Sequence, residues 1–401
     1  MRLAPVISLL FLSCCPVLAQ EKTPQHVVLF SLDGFRYDYA DLHDAKEIKA
    51  IAAQGVRAKG MTPVYPSSTF PNHLSLVTGL HPIDHGIVDN HFYDKVRHDS
   101  YSMGKGHKDS TWLNGIPLWN LAEMQGVKAA TYFWPESNAR INGMTPSYFF
   151  HYSKYADYQN RIDQIVQWLS LPQAQRPRFV AGYFSLTDSV GHEFGPAAPQ
   201  TREAVQVVDA LMGQLYRRLQ ALPIDVNLII VSDHGMTRLE PEKSVVVEEL
   251  EIGEAFGVDV ATSMVALYAR DDVSEVDIQS ERARLSRIAN GRYRVLSDAQ
   301  REARHYERNS RTGDIVLEVS PPVKFSKTAD VSQKFGGHGY ENHHPDMAAT
   351  FIAVGPAFVQ GQTIPTFSNL EVYPVIAEIL ELDLLAPVAS DGQTLSKALR
   401  H

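Results

Sequence analysis

Three apolar runs in this chain each end in a polar turn that carries an aspartate, and this repeated pattern constrains the fold most. The runs cover residues 27–30, 179–184 and 228–231. The turns contain Asp33, Asp188 and Asp233. Strand-like runs that alternate with helical segments indicate an α/β fold with a mostly parallel central sheet and helices on both faces. Functional side chains in such sheets gather beyond the carboxyl ends of the strands, so we expect the aspartates to converge.

The rest of the chain continues this alternation. Apolar spacing predicts a long amphipathic helix over residues 201–222, and a charged segment predicts a solvated helix over residues 274–290. We expect shorter helices at residues 41–54 and 74–77, and further strands at residues 56–61, 129–133, 264–268, 315–319 and 348–354. With 44% hydrophobic residues among 401 and no internal repeat or long linker, the sequence favours one domain over residues 20–401 with surface insertions.

The first residues have the features of a secretory signal peptide. Arg2 precedes an apolar run, and residues 17–19 resemble a cleavage site with small side chains. We therefore predict a signal peptide over residues 1–19 and a mature protein that is periplasmic or secreted. A buried N-terminal helix is the alternative, but Pro5 and Pro16 would fit poorly inside one.

Both cysteines of the chain, Cys14 and Cys15, fall within this segment. The mature chain would therefore contain no thiol for a disulfide or for a cysteine-based zinc site. Lipid attachment at one of these cysteines is an alternative, although the residues before them match a lipoprotein signal poorly. No later apolar stretch is long enough to span a bilayer, so we expect no transmembrane segment.

The polar turns supply carboxylates and imidazoles, which are ligands suited to zinc. Beside the three aspartates they contain His192, His234 and, in a fourth, glycine-rich turn, His338. Asp188 and His192 are four residues apart, so one helical turn would place both on the same face. Adjacent Asp233 and His234 could converge on one metal only from a tight turn, which Gly235 permits.

A threonine set among turn residues stands just ahead of another apolar run. Thr69 occupies this position within residues 65–73, downstream of the first strand-like run. We therefore take Thr69 as the candidate for a metal-bound nucleophile. A helix that begins near Thr69 would direct free backbone N–H groups and its positive end toward a phosphate.

Five segments together resemble the motif set of the nucleotide pyrophosphatase/phosphodiesterase family, within the alkaline phosphatase superfamily. They occur in order at residues 31–36, 69–73, 188–196, 232–236 and 337–340. The resemblance implies an alkaline phosphatase-like fold, a single catalytic domain and two Zn²⁺ ions per chain. One ion would be held by Asp188, His192 and His338, and the other by Asp33, Asp233, His234 and the oxygen of Thr69.

The same resemblance implies a mechanism and a substrate class. Thr69 would attack phosphorus and become covalently nucleotidylated, as a phosphothreonine-type intermediate that water then hydrolyses. Asn90 matches an amide that donates to a non-bridging phosphate oxygen, and such a neutral donor suits a diester. Phe70 would stack on the nucleotide base, with Tyr152 or Tyr155 on the opposite side. The reaction would cleave nucleotide 5′-phosphodiester and pyrophosphate bonds and release nucleoside monophosphates.

Other functions compete with this interpretation. A phosphodiesterase of the same family acting on choline phosphate esters or lysophospholipids would need a cage of aromatic and acidic side chains, which the sequence does not identify. A non-catalytic zinc- or nucleotide-binding protein is disfavoured because no ligand position is missing. A sulfatase would typically carry a modified Cys or Ser in place of Thr69.

The charge of the chain bears on its partners. The formal net charge is −9, and no lysine and arginine cluster resembles a nucleic-acid-binding tract. We therefore expect a small-molecule nucleotide substrate rather than a nucleic-acid polymer. The sequence leaves the physiological substrate and the oligomeric state open.

Overall fold

The central element of the structure is an eight-stranded sheet. A computed structural model describes residues 23–329, 331 and 333–400, so the predicted signal peptide and both cysteines lie outside the described residues. In spatial order the strands are Gln362–Ile364, Val56–Ala58, Phe351–Val354, Val226–Val231, His26–Leu32, Phe179–Phe184, Ala129–Tyr132 and Tyr148–Phe150. Every neighbouring pair is parallel except the two that involve Phe351–Val354. The predicted mostly parallel sheet is confirmed.

Both faces of this sheet are covered. In the strand His26–Leu32, Val27 and Leu29 belong to one apolar cluster, whereas Val28 and Phe30 belong to another, and all four are fully buried. Successive side chains of a strand point to opposite faces, so helices must cover the sheet on both sides. This confirms the predicted arrangement of the layers.

Most predicted helices are present. The longest is Pro199–Gln220, and the solvated helix is Glu275–Ile288. The helix predicted over residues 41–54 is instead two helices, Tyr39–Leu42 and Lys46–Gln54, because Asp44 between them has a positive φ of 55°. The remaining α-helices are Thr69–Thr78, Pro82–His85, Leu118–Met124, Tyr158–Leu169, Leu186–Phe194, Asp298–Glu302 and Val372–Ile379.

Two predicted strands belong to a separate small sheet. Met264–Ala269 and Ile315–Glu318 pair antiparallel with each other, and Phe256–Val260 and Arg294–Val295 complete this four-stranded sheet. The small sheet lies in the chain between two strands of the central sheet, as an insertion. The other strands pair two by two: Met61–Thr62 with Phe367–Ser368, His91–Asp94 with Asp99–Ser102, Thr237–Arg238 with Gly336–Gly337, and Val245–Val246 with Phe325–Ser326.

The predicted strand over residues 56–61 is interrupted, because its two ends pair with different partners. Val56–Ala58 belongs to the central sheet and Met61–Thr62 to a two-stranded one. Among the described residues, no helix combines the length and the apolar character that crossing a membrane requires.

Candidate active site

The carboxyl ends of three adjacent parallel strands meet at one edge of the central sheet. In spatial order these strands are Val226–Val231, His26–Leu32 and Phe179–Phe184. Asp33 follows His26–Leu32 directly, and its backbone N–H donates to the carbonyl oxygen of Phe184, 2.9 Å away. The three polar turns predicted from the sequence therefore lie side by side at this edge.

Asp33, Asp233 and His234 form a buried cluster at this edge. The Nε2 atom of His234 lies 3.0 Å from Asp233 Oδ2 and 3.6 Å from Asp33 Oδ1. Neither of these two carboxylate oxygens has a hydrogen-bond donor within the described part of the chain. The cluster thus concentrates two acidic groups and one imidazole around a common point.

Asp188, His192 and His338 form a second cluster beside the first. The Nε2 atoms of the two histidines are 3.1 Å apart, and they lie 3.4 Å and 3.6 Å from Asp188 Oδ1. Asp188 and His192 share the helix Leu186–Phe194, which confirms the expected spacing of one helical turn. The rings of His234 and His338 are stacked with centroids 3.6 Å apart, so the two clusters touch.

The three imidazole rings are oriented by the same kind of hydrogen bond to the backbone. In each ring Nδ1 lies within hydrogen-bond distance of a backbone carbonyl oxygen, which can only accept. The pairs are His234 with Gly235 at 2.8 Å, His192 with Gly336 at 2.9 Å and His338 with Ser67 at 3.1 Å. Each Nδ1–H therefore donates, and each Nε2 presents its lone pair to its cluster, as in metal-ligating histidines.

The donor atoms fit two divalent cations. Three buried carboxylate oxygens of the clusters lack a hydrogen-bond donor, and they belong to Asp33, Asp188 and Asp233. Ligands at about 2.1 Å from a tetrahedral zinc are about 3.4 Å apart. The contacts within the clusters run from 3.0 to 3.6 Å, close to that spacing.

The charges in the clusters shift the pKa values of their members. Burial raises the pKa of Asp33 well above its ordinary value, and the neighbouring carboxylates of Asp233 and Asp188 add to the effect. Burial would also raise the pKa of Asp233, but His234 and His73 outweigh burial and lower it. A cation held among these groups would relieve the repulsion that Asp33 experiences.

Two glycines allow the turns to approach each other. Gly34 has a positive φ of 66°, and a Cβ there would lie 3.0 Å from the Cα of Asp188. A Cβ on Gly235 would lie 2.1 Å from the carbonyl oxygen of Asp346. The sequence suggested that a glycine is needed at position 235 for a tight turn. The structure adds a second reason, because another backbone segment passes too close for a side chain.

Thr69 is the first residue of the helix Thr69–Thr78 and is buried beside the first cluster. Its Oγ1 lies 3.2 Å from Nε2 of His234. The helix begins as predicted, with Ser68 as its N-cap residue. Thr69 thus combines a hydroxyl beside a carboxylate and imidazole cluster with the positive end of a helix.

Asn90 lies next to the nucleophile candidate. Its Oδ1 accepts a hydrogen bond of 2.8 Å from the backbone N–H of Phe70. Because the carbonyl side of the amide is engaged, the amide NH₂ group is left to donate to another group. Phe70 is partly buried and packs against the core.

The structure leaves the second aromatic side chain of the predicted base slot open. Tyr152 is 55% exposed and its ring contacts Phe133, whereas Tyr155 is 86% exposed and lies against Lys154. Within the described part of the chain, neither tyrosine ring packs against Phe70. The assignment of Tyr152 over Tyr155 stays a prediction.

Two residues near the first cluster were missed by sequence reasoning. His73 is buried one helical turn after Thr69, and its Nδ1 contacts the Thr69 carbonyl oxygen at 2.9 Å and lies 3.4 Å from Asp233 Oδ2. The hydroxyl of Tyr183 donates to Asp33 Oδ2. The four-residue spacing from Thr69 could have identified His73, but Tyr183 lies inside an apolar run that gives no such signal.

A cavity of about 310 Å³ opens beside His192 and His338. Acidic and aromatic side chains in its wall are those of Asp89, Phe92, Asp259, Tyr268 and Tyr306. Burial raises the pKa of Asp89 to about 6. Asp259 is paired with His91, whose Nδ1 lies 2.7 Å from Asp259 Oδ1.

The parallel sheet with paired Asp and His clusters at its carboxyl edge defines an alkaline phosphatase-like α/β protein. A profile of the type I phosphodiesterase/nucleotide pyrophosphatase family matches residues 27–341. The chain belongs to this family, which confirms the resemblance drawn from the motifs.

Characterised relatives support the same family. The chain is 34% identical over 383 residues to ectonucleotide pyrophosphatase/phosphodiesterase family member 1 of Mus musculus, covering 92% of this chain and 42% of the mouse protein. It is 33% identical over 392 residues to venom phosphodiesterase CdcPDE of Crotalus durissus collilineatus, covering 94% of this chain and 46% of the venom protein. The chain therefore spans less than half the length of these relatives.

Solved structures of one relative share the fold. Murine ectonucleotide pyrophosphatase/phosphodiesterase 5 superposes with a TM-score of 0.87 at 26% identity, covering 94% of this chain and 100% of the murine chain. An inactive threonine-to-alanine variant of that murine protein, in complex with AMP, superposes with a TM-score of 0.85 at 25% identity over the same shares of both chains.

Proposed function

We propose that the chain is an exported, two-zinc phosphodiesterase/pyrophosphatase that hydrolyses nucleotide 5′-phosphodiester and pyrophosphate bonds and releases nucleoside monophosphates. One observation carries the proposal. The Thr69 hydroxyl lies 3.2 Å from His234 Nε2, in one of two touching clusters, and each aspartate of the clusters has one oxygen without a donor among the described residues. Family membership supports the same reading.

The two clusters would hold the two cations. We assign Asp33, Asp233, His234 and the Thr69 oxygen to one, and Asp188, His192 and His338 to the other. A pair of divalent cations supplies Lewis acidity and favours the alkoxide form of a hydroxyl at neutral pH. Asp and His donors without any thiol are compatible with zinc.

The side chains of the chain account for the remaining steps. Thr69 Oγ1 gives up its proton to solvent water and attacks the phosphorus in line. As the phosphothreonine bond forms, the bond to the leaving oxygen breaks and that oxygen departs with the electron pair. The amide NH₂ of Asn90 donates to a non-bridging phosphate oxygen, where negative charge increases in the transition state. Water then attacks the phosphothreonine and releases the nucleoside monophosphate with Thr69 restored.

The nucleotide base is assigned to the side of the site that carries Phe70. An aromatic face binds any base by stacking, which contributes about 1–3 kcal/mol per base. We place Tyr152 on the opposite side of the base, with Tyr155 as the alternative. The AMP complex of the murine relative supports a nucleotide ligand, and the inactivity of its threonine variant supports a threonine nucleophile.

Export and domain organisation complete the proposal. Residues 1–19 are proposed as a signal peptide and residues 20–401 as a single catalytic domain with surface insertions. The names of the relatives, an ectonucleotide enzyme and a venom enzyme, support a periplasmic or secreted location.

The test compares a diester with a monoester. Purified protein is assayed on the 4-nitrophenyl ester of thymidine 5′-monophosphate and on 4-nitrophenyl phosphate, before chelation, after chelation and after zinc is restored. We expect the diester to be strongly preferred, and activity to disappear and return with the metal. Preference for the monoester, or turnover that ignores the chelator, would refute the proposal.

One observation favours a second candidate, a phosphodiesterase for choline phosphate esters. The 310 Å³ cavity is lined by two carboxylates and three aromatic rings, groups that attract a quaternary ammonium ion, although Lys334 also lines it. Hydrolysis of glycerophosphocholine is measured in the same assay series. Activity on it that exceeds activity on nucleotides would select this candidate over the nucleotide enzyme.

A further inference from the structure

A groove of about 490 Å³ adjoins the second cluster and has a strongly basic wall. Its ionisable side chains are those of His91, His192, Asp259, Lys324, Lys327 and Lys334. We call it the basic groove and define it by its three lysines. Three ammonium groups around one cavity are notable in a chain whose formal net charge is −9.

The backbone fixes the basic groove to the second cluster. Phe335, the residue after Lys334, donates its N–H to the carbonyl oxygen of His192 at 3.0 Å. In return His192 Nδ1 donates to the carbonyl oxygen of Gly336 at 2.9 Å. Lys334 therefore stands at a set position beside His192, and its exposed side chain can reach into the groove.

Among the described residues that line the groove, basic side chains outnumber carboxylates. Lys324 is 5% exposed, and burial followed by repulsion from Lys334 lowers its pKa, which indicates that the two ammonium groups are close. Asp259 is the one carboxylate among the lining residues that the structure describes, and its Oδ1 lies 2.7 Å from His91 Nδ1. Lys327 and Lys334 form no ion pair with a carboxylate in residues 23–329, 331 and 333–400. An anion in the groove would therefore meet several donors.

The groove adjoins the second cluster rather than the cluster that Thr69 contacts. Thr69 contacts His234 of the first cluster, whereas the groove is lined by His192 of the second. In an in-line displacement the leaving oxygen departs on the side of phosphorus opposite the attacking oxygen. Phe70, which we assign to the base, does not line the groove. The two halves of a substrate would thus extend to different sides of the site.

We propose that the basic groove binds the departing half of the substrate, and that this half bears phosphate. It would be pyrophosphate from a nucleoside triphosphate, or a nucleoside phosphate from a dinucleoside polyphosphate. Both sources present phosphate oxygens to Lys327 and Lys334, which an uncharged alcohol cannot do. This inference rests on the proposed function, because it defines the leaving group for the same reaction.

The test removes two charges at the groove. Lys327→Gln and Lys334→Gln are combined, and Lys128→Gln serves as the matched control because it precedes the strand Ala129–Tyr132 at the opposite edge of the sheet. Both variants are assayed on ATP, on diadenosine tetraphosphate and on the 4-nitrophenyl ester of thymidine 5′-monophosphate. Inhibition of ester hydrolysis by α,β-methylene-ATP and by AMP is measured in parallel.

For the double variant we expect kcat/KM to fall roughly tenfold or more on ATP and on diadenosine tetraphosphate, with ester hydrolysis within about twofold of wild type. Inhibition by α,β-methylene-ATP should weaken by a similar factor while inhibition by AMP stays constant. A loss on ATP alone assigns the groove to pyrophosphate.

Equal losses on all three substrates, or no loss on either phosphate-bearing substrate, overturn the assignment of the groove. Failure of the proposed function would look different. In that case the wild type itself would not hydrolyse the thymidine ester, whatever the groove variants do.

Discussion

At the scale of single residues, the candidate site depends on imidazoles whose orientation is set by the backbone. His192, His234 and His338 each direct Nδ1–H to a carbonyl oxygen and Nε2 to a cluster. The Thr69 hydroxyl therefore lies beside the first cluster, close to an imidazole nitrogen and to carboxylate oxygens without a described donor. A hydroxyl in such surroundings is poised to lose its proton when a cation is bound.

Substitution of Thr69 should separate chemistry from metal binding. We expect Thr69→Ala to lower kcat/KM for the thymidine diester by on the order of 10³-fold or more, because no other hydroxyl can replace the nucleophile. Thr69→Ser keeps the hydroxyl and should retain measurable turnover. Metal content is determined by elemental analysis in both variants and should remain near that of wild type, since the six Asp and His donors are unchanged. Undiminished activity of Thr69→Ala would show that the nucleophile is misplaced.

Asn90 offers a test with little change of shape. Asn90→Asp keeps an oxygen that can accept from the N–H of Phe70, but it removes the NH₂ donor and adds a negative charge. We expect diester kcat/KM to fall by on the order of 10²-fold, as for loss of a donor to a developing oxyanion, with an unchanged Tm. Asn90→Asp with full diester activity would exclude the amide from phosphate binding.

His85, which the sequence left unassigned, should make stability depend on pH. It is fully buried, with Nε2 near Ser75 Oγ and the Pro71 carbonyl oxygen, and Nδ1 accepts from the Ile87 N–H. Burial lowers the pKa of His85 to about 3. The contribution of His85 to the free energy of unfolding is therefore complete above its pKa in the unfolded chain, about 6.5. It is lost as pH falls toward 3, by about 1.4 kcal/mol per pH unit.

The check is denaturant unfolding at pH 7, 6 and 5 for wild type and His85→Asn. The asparagine oxygen can still accept from the Ile87 N–H, so the variant should fold. The slope of the unfolding free energy with pH reports the number of protons taken up on unfolding. We expect this number to be smaller by about one in His85→Asn than in wild type at pH 5. Equal slopes in the two proteins would contradict a neutral, buried His85.

The sequence predicts which residues form the site, but it does not predict the side chains that surround and support them. The structure brings together the six Asp and His side chains and Thr69 that the sequence singled out. The support from Tyr183 and the ring stacking of His234 on His338 depend on side-chain packing between distant segments. Such contacts leave no local pattern in the chain, so sequence reasoning could not supply them.

At the scale of secondary structure, local periodicity predicts elements well and pairing poorly. The helix Pro199–Gln220 agrees with its predicted bounds to within two residues. Met264–Ala269 and Ile315–Glu318 were expected as strands, but their hydrophobic runs resemble those of the parallel strands. Only the antiparallel register between them places them in a separate sheet, and register between distant segments is not encoded in either segment alone.

Arg311 joins the insertion that carries this small sheet to the rest of the fold. Its Nε donates to Asp94 Oδ2 at 2.8 Å, and its Nη1 donates to the carbonyl oxygens of Gly86 and Trp112. The pair is largely buried, with 15% and 4% of the two side chains exposed. We expect Arg311→Met to lower the free energy of unfolding by about 3 kcal/mol, because it leaves Asp94 buried with a weaker partner.

Chemical denaturation of Arg311→Met provides the measurement. Arg270→Met, an exposed arginine directly after the strand Met264–Ala269, is the matched control and should change stability little. A loss of the same size in both variants would mean that removal of any arginine from the insertion is responsible, and would contradict a specific role for Arg311.

At the scale of the whole molecule, stability and metal binding should be coupled. The fold brings three carboxylates and three imidazoles to one edge of the central sheet, and their orphaned oxygens have no internal partner. Folding therefore concentrates negative charge that a bound cation would neutralise. A ligand that binds the folded state alone stabilises it by mass action.

Removal of the metals should consequently lower Tm at pH 7.5 and at pH 9, and the loss should be no smaller at the higher pH. Asp33 and His234 have folded pKa values above their ordinary ones, so in the metal-free protein each favours folding at low pH and loses that contribution as pH rises. His73 and His338 have lowered pKa values and are neutral in both states above pH 7.5, so they add no slope there. Metal-loaded protein should lack this dependence, because ligation holds Asp33 and His234 deprotonated.

Thermal unfolding of chelated, untreated and zinc-restored samples at the two pH values measures the effect. Equal Tm values with and without chelator at pH 9 would show that the clusters are stable without cations.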